Sequence, residues 1–71
     1  MPRPEPRQPR IGEPAASDRI PGEVGRVVGH QAATPAKPEL WLVKPRQAGA
    51  LAVWLTREEL ALTGEPRWWQ R

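Results

Sequence analysis

Apolar positions are grouped in short runs after the first third of the chain, and these runs predict strands. Residues 22–29 are rich in valine and glycine, which is typical of a short strand with a bulge or sharp bend at Gly25. Residues 40–44 form a second apolar run of strand length, closed by Pro45. Residues 30–39 contain two prolines and predict a loop between the two strands.

A third apolar run, residues 51–55, follows a glycine-containing stretch at residues 46–49, and this spacing predicts a hairpin. A helix over residues 48–62 is the competing interpretation, because several leucines and one tryptophan fall near one helical face. The tetrad Thr56-Arg57-Glu58-Glu59 is a capping-box pattern and predicts a helical or 3₁₀ turn that begins at Thr56. A turn that begins there argues against a helix already formed in residues 51–55.

The N-terminal segment has a different composition, with six of the ten prolines in residues 1–21. Its alternating prolines exclude a helix and a hydrogen-bonded strand, so we expect a disordered tail. A polyproline-II segment that docks on a partner is the alternative, supported by one Pro-x-x-Pro match at residues 6–9. The chain therefore divides into a tail (residues 1–21), a small β-barrel-like domain (22–64) and a Trp/Arg C-terminal segment (65–71).

A chain of 71 residues without cysteine has room for one small core that depends on apolar packing alone. We expect either Trp41 or Trp54 to close this core, and we expect Trp54→Ala to unfold the chain. The aliphatic residues expected to be mostly buried are Val24, Val27, Leu40, Leu42, Val53, Leu55 and Leu60.

The order of these elements resembles that of small SH3-like barrels, in which a last short strand follows a 3₁₀ turn. Residues 22–28, Gly-Glu-Val-Gly-Arg-Val-Val, are similar to the glycine-bearing strand of KOW-type barrels and of the electron-transport accessory barrels, a family with a member in photosystem I. The resemblance covers residues 22–63 and implies a mainly β fold, a small, partly open SH3-like barrel. No clear first strand precedes Pro21, so we expect the barrel either to be open or to be completed by a partner chain.

Catalytic chemistry finds little support in the sequence. The single histidine, His30, has no cysteine or acidic cluster near it in the chain, and Glu58 and Glu59 would point in different directions from one turn. No phosphate-binding glycine loop occurs, because Gly22-x-x-Gly25 lacks a following helix and lysine. We therefore expect no enzyme activity, no metal, no cofactor and no small-molecule substrate.

The compartment and the charge give only broad expectations. The absence of a long apolar run and of a signal-peptide core predicts a cytoplasmic protein without membrane contact. The net charge of +3 is modest, and the pI near 10.6 mainly reflects that nine of the eleven basic residues are arginine.

Four tryptophans in so short a chain are its most distinctive chemical feature. Trp68 and Trp69 follow Arg67 at the C-terminus, where they either fold back over an open barrel end or form an aromatic and basic surface. The leading hypothesis is an accessory module that binds a protein partner through a sheet edge and this tryptophan pair, with Arg26 and Arg46 as further contacts. A nucleic-acid-binding barrel, with Arg26, Lys44, Arg46 and Arg67 on phosphates and Trp68 or Trp69 under the bases, is the alternative.

Overall fold

The computed structural model describes residues 7–70, which form one five-stranded antiparallel sheet and a single 3₁₀ turn. Along the sheet the strands follow the order β4-β3-β2-β1-β5, and β4 and β5 lie at opposite edges without pairing, so the sheet is not closed. This architecture confirms the mainly β prediction and is compatible with a small barrel-like fold. The elements in chain order are β1 (Pro14–Ala16), β2 (Val24–Gln31), β3 (Leu40–Pro45), β4 (Val53–Leu55), the 3₁₀ turn (Arg57–Glu59) and β5 (Ala61–Leu62).

The three predicted central strands are present as an antiparallel meander. β2 pairs with β3, and β3 pairs with β4 across the hairpin, in which Gly49 has a φ of 80°. Residues 53–55 are extended, so the competing helix over residues 48–62 does not form. The strand is followed by a turn capped at Thr56, so the hairpin interpretation that the capping box favoured is confirmed.

The N-terminal prediction is wrong in part, because β1 lies inside the segment that was expected to be disordered. β1 pairs with β2 on one side and with β5 on the other, so a Pro-Ala-Ala sequence occupies an interior position of the sheet. Pro14 is tolerated since it is the first residue of its strand, where a missing N–H costs little. Residues 1–6 of the predicted tail lie outside the described part of the chain.

The core lies on one face of the sheet and contains only part of the predicted set. Val27, Leu55, Leu60 and Trp41 are buried as expected, whereas Val24, Leu40, Leu42 and Val53 are only half-buried. Trp41 closes the core with 3% of its surface exposed, and Trp54 does not, with 46% exposed. The buried hydrophobic residues that the prediction missed are Ala15, Ala16, Ile20, Val43, Ala61 and Leu62.

The bulge predicted at Gly25 lies instead at Val28, where the β2–β3 register shifts between Val27 and Gly29. Gly25 is required for a different reason: a Cβ there would lie 2.5 Å from the carbonyl oxygen of Lys44. Glycine thus lets two backbones approach closely, while the bulge changes which residues of β2 face the core.

The 3₁₀ turn connects the chain ends to the sheet. Its predicted capping box is present, with Oε1 of Glu59 accepting from the Thr56 backbone N–H and hydroxyl, both at 2.9 Å. Arg57 donates to the carbonyl oxygens of Arg7 (3.0 Å) and Leu60 (3.3 Å) and to the Glu65 carboxylate (2.5 Å). One guanidinium therefore joins the N-terminal segment, the turn and the C-terminal segment.

Within residues 7–70, no helix has the length and apolar composition that crossing a membrane would require.

Candidate functional site

The face of the sheet opposite the core, here called the outer face, carries the candidate site. Strand pairing places Arg26 of β2 directly opposite Lys44 of β3, and Leu42 of β3 directly opposite Trp54 of β4. Because alternate residues of a strand share a face, Leu42 and Lys44 lie on the same side, about 7 Å apart along β3. The buried residues Trp41 and Val43 occupy the other side. The outer face thus combines a basic part and an apolar part.

The basic part is an open groove of about 420 Å³. Its three charged residues are all basic: Arg26, Lys44 and Arg46. Like charges directly opposite each other on antiparallel strands destabilise a sheet unless something compensates for them. The remaining residues that line the groove are Pro14, Val24, Gly25, Val28 and Pro45.

Within residues 7–70 the acidic side chains that form ion pairs do so elsewhere. Glu13 pairs with Arg7 at 2.6 Å, Glu59 with Arg19, Glu39 with His30 at 2.7 Å, and Glu65 with Arg57 at 2.5 Å. In this part of the chain none of the three basic groove residues has an acidic side chain within 4.0 Å. The charge of the groove is therefore not neutralised by the described residues.

Three of the paired glutamates are held as carboxylates. Hydrogen bonds from Arg7 lower the pKa of Glu13 to about 2, against a smaller opposing effect of burial. The Thr56 backbone hydrogen bond lowers the pKa of Glu59. Burial raises the pKa of Glu65, but hydrogen bonds from the Leu62 N–H and Arg57 together outweigh it, so the net direction is down. These acids remain charged and bound to their own partners at neutral pH.

The apolar part of the outer face is built around Trp54. Its Cη2 atom comes within 3.8 Å of the point where a Cβ on Gly29 would lie, and a Leu42 Cβ lies 3.1 Å from the same point. Val28, at the bulge, is 43% exposed. The Trp54 ring, the Leu42 side chain and the Gly29 backbone therefore form one apolar surface, and Val28 lies in the adjoining basic groove.

The predicted C-terminal residues occupy a neighbouring region. Arg67 lines a smaller cavity of about 180 Å³ over β1 and β5, which shares Pro14 and Val24 with the basic groove. Trp68 is 59% exposed, and its indole N–H donates to the carbonyl oxygen of Glu58 at 3.0 Å. The rings of Trp68 and Trp69 pack edge to face, with 5.5 Å between their centroids.

Trp69 differs from Trp68 in its burial. Its indole nitrogen is buried and has no hydrogen-bond partner among the described residues. Gln70 next to it donates to the Glu23 carboxylate at 3.3 Å. The terminal segment thus folds back on the domain and leaves one ring, that of Trp68, mainly exposed.

The structure therefore separates the predicted binding residues into two groups. Arg26 and Arg46 lie together with Lys44, whereas Arg67, Trp68 and Trp69 belong to the C-terminal segment. Trp54 was not predicted as a surface residue, because it lies in an apolar run and was expected, with Trp41 as the alternative, to close the core. The signal available was the alternation Leu42, Val43, Lys44, which places Leu42 on the charged side of β3.

Clusters that suggest other chemistry are few in the described part of the chain. No group of three or more metal-ligating side chains occurs within residues 7–70. The His30 ring stacks on the Trp41 ring, with 5.3 Å between centroids, and pairs with Glu39, which gives the histidine a structural role where β2 and β3 meet their connecting loop. Ser17 is fully buried and accepts a hydrogen bond from the Arg19 N–H at 3.1 Å, so its hydroxyl stabilises the β1–β2 connection.

Within residues 7–70 the outer face thus places a basic groove beside exposed apolar side chains. Its functional meaning has to come from its own geometry. Comparison with protein-family models, curated proteins and solved structures found no match to this chain.

Proposed function

We propose that this protein is a non-enzymatic, SH3-like binding module whose outer face binds nucleic acid through its phosphates. The observation that carries the proposal is the groove lined by Arg26, Lys44 and Arg46, in which no acidic side chain occurs among the described lining residues. The strand order and the 3₁₀ turn before β5 support the barrel topology that the sequence resembles.

The energetics of the groove favour a polyanionic partner. Arg26 and Lys44 repel each other across the strands, and a phosphate placed between them converts this repulsion into attraction. Arg26 also donates to the Gly12 carbonyl oxygen at 2.5 Å, which restricts the motion of its guanidinium. A second copy of this chain docked on the same face would instead place like charges together, so self-association does not satisfy the groove.

A titration of Lys44→Gln tests this proposal directly. Each phosphate contact releases counterions, so the wild-type protein should bind a labelled oligonucleotide with a negative dependence of log K on log salt. Loss of one contact should lower the affinity and reduce that slope by about 0.7–0.9. Fluorescence anisotropy at several salt concentrations measures both quantities.

Lys37→Gln is the matched control, because it removes the same charge from the β2–β3 loop, away from the groove. We expect Lys37→Gln to keep nearly the wild-type slope. Equal effects of the two substitutions would mean that only net charge matters, and a wild-type protein without any salt slope would refute phosphate binding.

A protein-binding function through the C-terminal segment is the second candidate. The observation in its favour is Trp68, which is 59% exposed in a domain whose sheet has two open edges. The edges themselves, β4 and β5, are only three and two residues long, which limits strand addition by a partner. A partner that co-purifies with wild type, is lost with Trp68→Ala and is retained with Lys44→Gln would establish this function in place of the first.

A further inference from the structure

We infer that the nucleic acid bound by the outer face is single-stranded, and that Trp54 is the platform on which an unpaired base stacks. This inference rests on the proposed function and adds to it the class of nucleic acid and a specificity-determining residue. It is carried by the apolar part of the outer face and by the position of that part relative to the basic groove.

The glycine at position 29 keeps the Trp54 ring accessible. A Cβ at this position would lie 3.1 Å from the Leu42 Cβ and 3.8 Å from the Trp54 Cη2, so a side chain there would cover the edge of the indole. The bulge at Val28 is what turns Gly29, and not a larger neighbour, toward this side of the sheet. The result is an apolar surface formed by Trp54, Leu42 and the Gly29 backbone.

The distance between this surface and the charges suits one nucleotide strand. Leu42, which is paired with Trp54, and Lys44, which is paired with Arg26, are separated by two residues of β3, about 7 Å. A base on the ring would therefore have its backbone phosphates within reach of Lys44 and Arg26. Aromatic rings beside a basic track are the combination by which barrels hold single strands.

A duplex can contact the basic groove but cannot stack a base on Trp54. Its bases are already stacked on each other, so their faces are not accessible to an indole unless a base is unpaired, unstacked and flipped out. A duplex would thus contact the basic groove and leave Trp54 in water. An acidic protein segment also differs from a single strand, because it offers carboxylates to the groove but has no base to stack on the Trp54 ring.

The test compares the affinities of wild type and Trp54→Leu for two probes, an oligothymidylate and a duplex of equal length. A length of roughly 12 nucleotides lies within the site sizes of about 4–16 nucleotides known for OB folds. We expect wild type to prefer the single strand. We expect Trp54→Leu to weaken single-strand binding by roughly fivefold or more, the effect of losing one stacked base. Duplex affinity and the salt slope should stay unchanged, and Trp54→Phe should restore most of the single-strand affinity.

Trp68→Leu is the control for removing an exposed indole elsewhere, and it should leave single-strand affinity unchanged. Circular dichroism of each variant shows whether it is folded under the titration conditions. If Trp54→Leu does not fold, the wild-type protein still tests the inference, because equal affinity for the single strand and the duplex would contradict it. Equal binding of both probes, with a normal salt slope and no effect of Trp54→Leu, would overturn this inference and leave the proposed function intact. Absence of binding to both probes, or stronger binding of polyglutamate than of the oligonucleotide, would overturn the two together.

Discussion

At the residue scale, the two strand tryptophans differ in a way that composition alone does not suggest. Both lie in short apolar runs, yet Trp41 is 3% exposed and Trp54 is 46% exposed. The difference is one of face, since Trp41 pairs with the buried Leu55 while Trp54 pairs with Leu42 on the opposite side of the sheet. We therefore no longer expect Trp54→Ala to unfold the chain, and we expect this effect from Trp41→Ala instead.

We predict that Trp41→Ala leaves the isolated chain largely unfolded at 25 °C. Removal of a buried tryptophan costs about 3–5 kcal/mol, which equals the roughly 3–5 kcal/mol that a single core supplies in a chain of this size. Trp54→Ala should cost only about 1–2 kcal/mol, because much of its ring is already in water. Urea unfolding followed by circular dichroism measures both, and a larger loss for Trp54→Ala would contradict the assignment of faces.

At the element scale, the β2–β3 pair depends on glycines that serve different purposes. Gly25 allows β2 to approach the backbone of β3, while Gly29 follows the bulge that reorients the end of β2. The sequence singled out Gly25, but for a bulge or sharp bend, whereas the bulge lies at Val28 and Gly25 serves a close approach of two backbones. The bulge at Val28 was not readable from the chain, because it depends on how residues 28–31 align with β3.

We predict that Gly25→Ala destabilises the protein by about 1–3 kcal/mol, the usual cost of overpacking. The new Cβ would lie 2.5 Å from the Lys44 carbonyl oxygen and 2.9 Å from the Val43 Cγ1, so backbone would have to move. Gly29→Ala is the control, since its closest contact, the Leu42 Cβ at 3.1 Å, is less severe. Thermal melts compare them, and an equal or greater loss for Gly29→Ala would contradict the close-approach argument.

At the scale of the whole molecule, the ion pair between Arg19 and Glu59 joins segments that are distant in the chain, while the pairs Arg7–Glu13 and Arg57–Glu65 are local. Glu13 and Arg7 precede the sheet, Glu59 belongs to the 3₁₀ turn, and Glu65 leads into the C-terminal segment. The pKa of Glu13, Glu59 and Glu65 is lowered in each case, so the folded chain favours the charged forms. The free energy of unfolding should consequently fall as the pH is lowered below the ordinary pKa of glutamate.

We predict that the melting temperature falls as the pH drops from about 4.5 toward about 2. The folded pKa of Glu13 is about 2 against 4.5 for the free group, so the unfolded chain binds more protons in this window. Stabilisation by Glu13 is therefore complete above the higher value and is lost as the pH approaches the lower one. Thermal melts across the range measure it.

Glu13→Gln should flatten the dependence of the melting temperature on pH below about 4.5. Glu58→Gln is the control, because it removes an exposed carboxylate, and it should keep the wild-type profile. A Glu13→Gln profile that coincides with wild type would show that this carboxylate does not contribute.

The sequence by itself determined the local elements: the apolar runs of β2, β3 and β4, the hairpin and the capping box at Thr56. These depend on neighbours within a few residues, so they can be read in order along the chain. β1 could not be read in this way, because Pro-Ala-Ala has no strand propensity of its own and is extended only between β2 and β5. The outer face was likewise decided by the tertiary structure, since the register of β3 with β2 and β4 brings Arg26 to Lys44 and Trp54 to Leu42. Which side of a sheet meets the core is a property of the assembled strands, and that choice exposed Trp54 beside the basic groove.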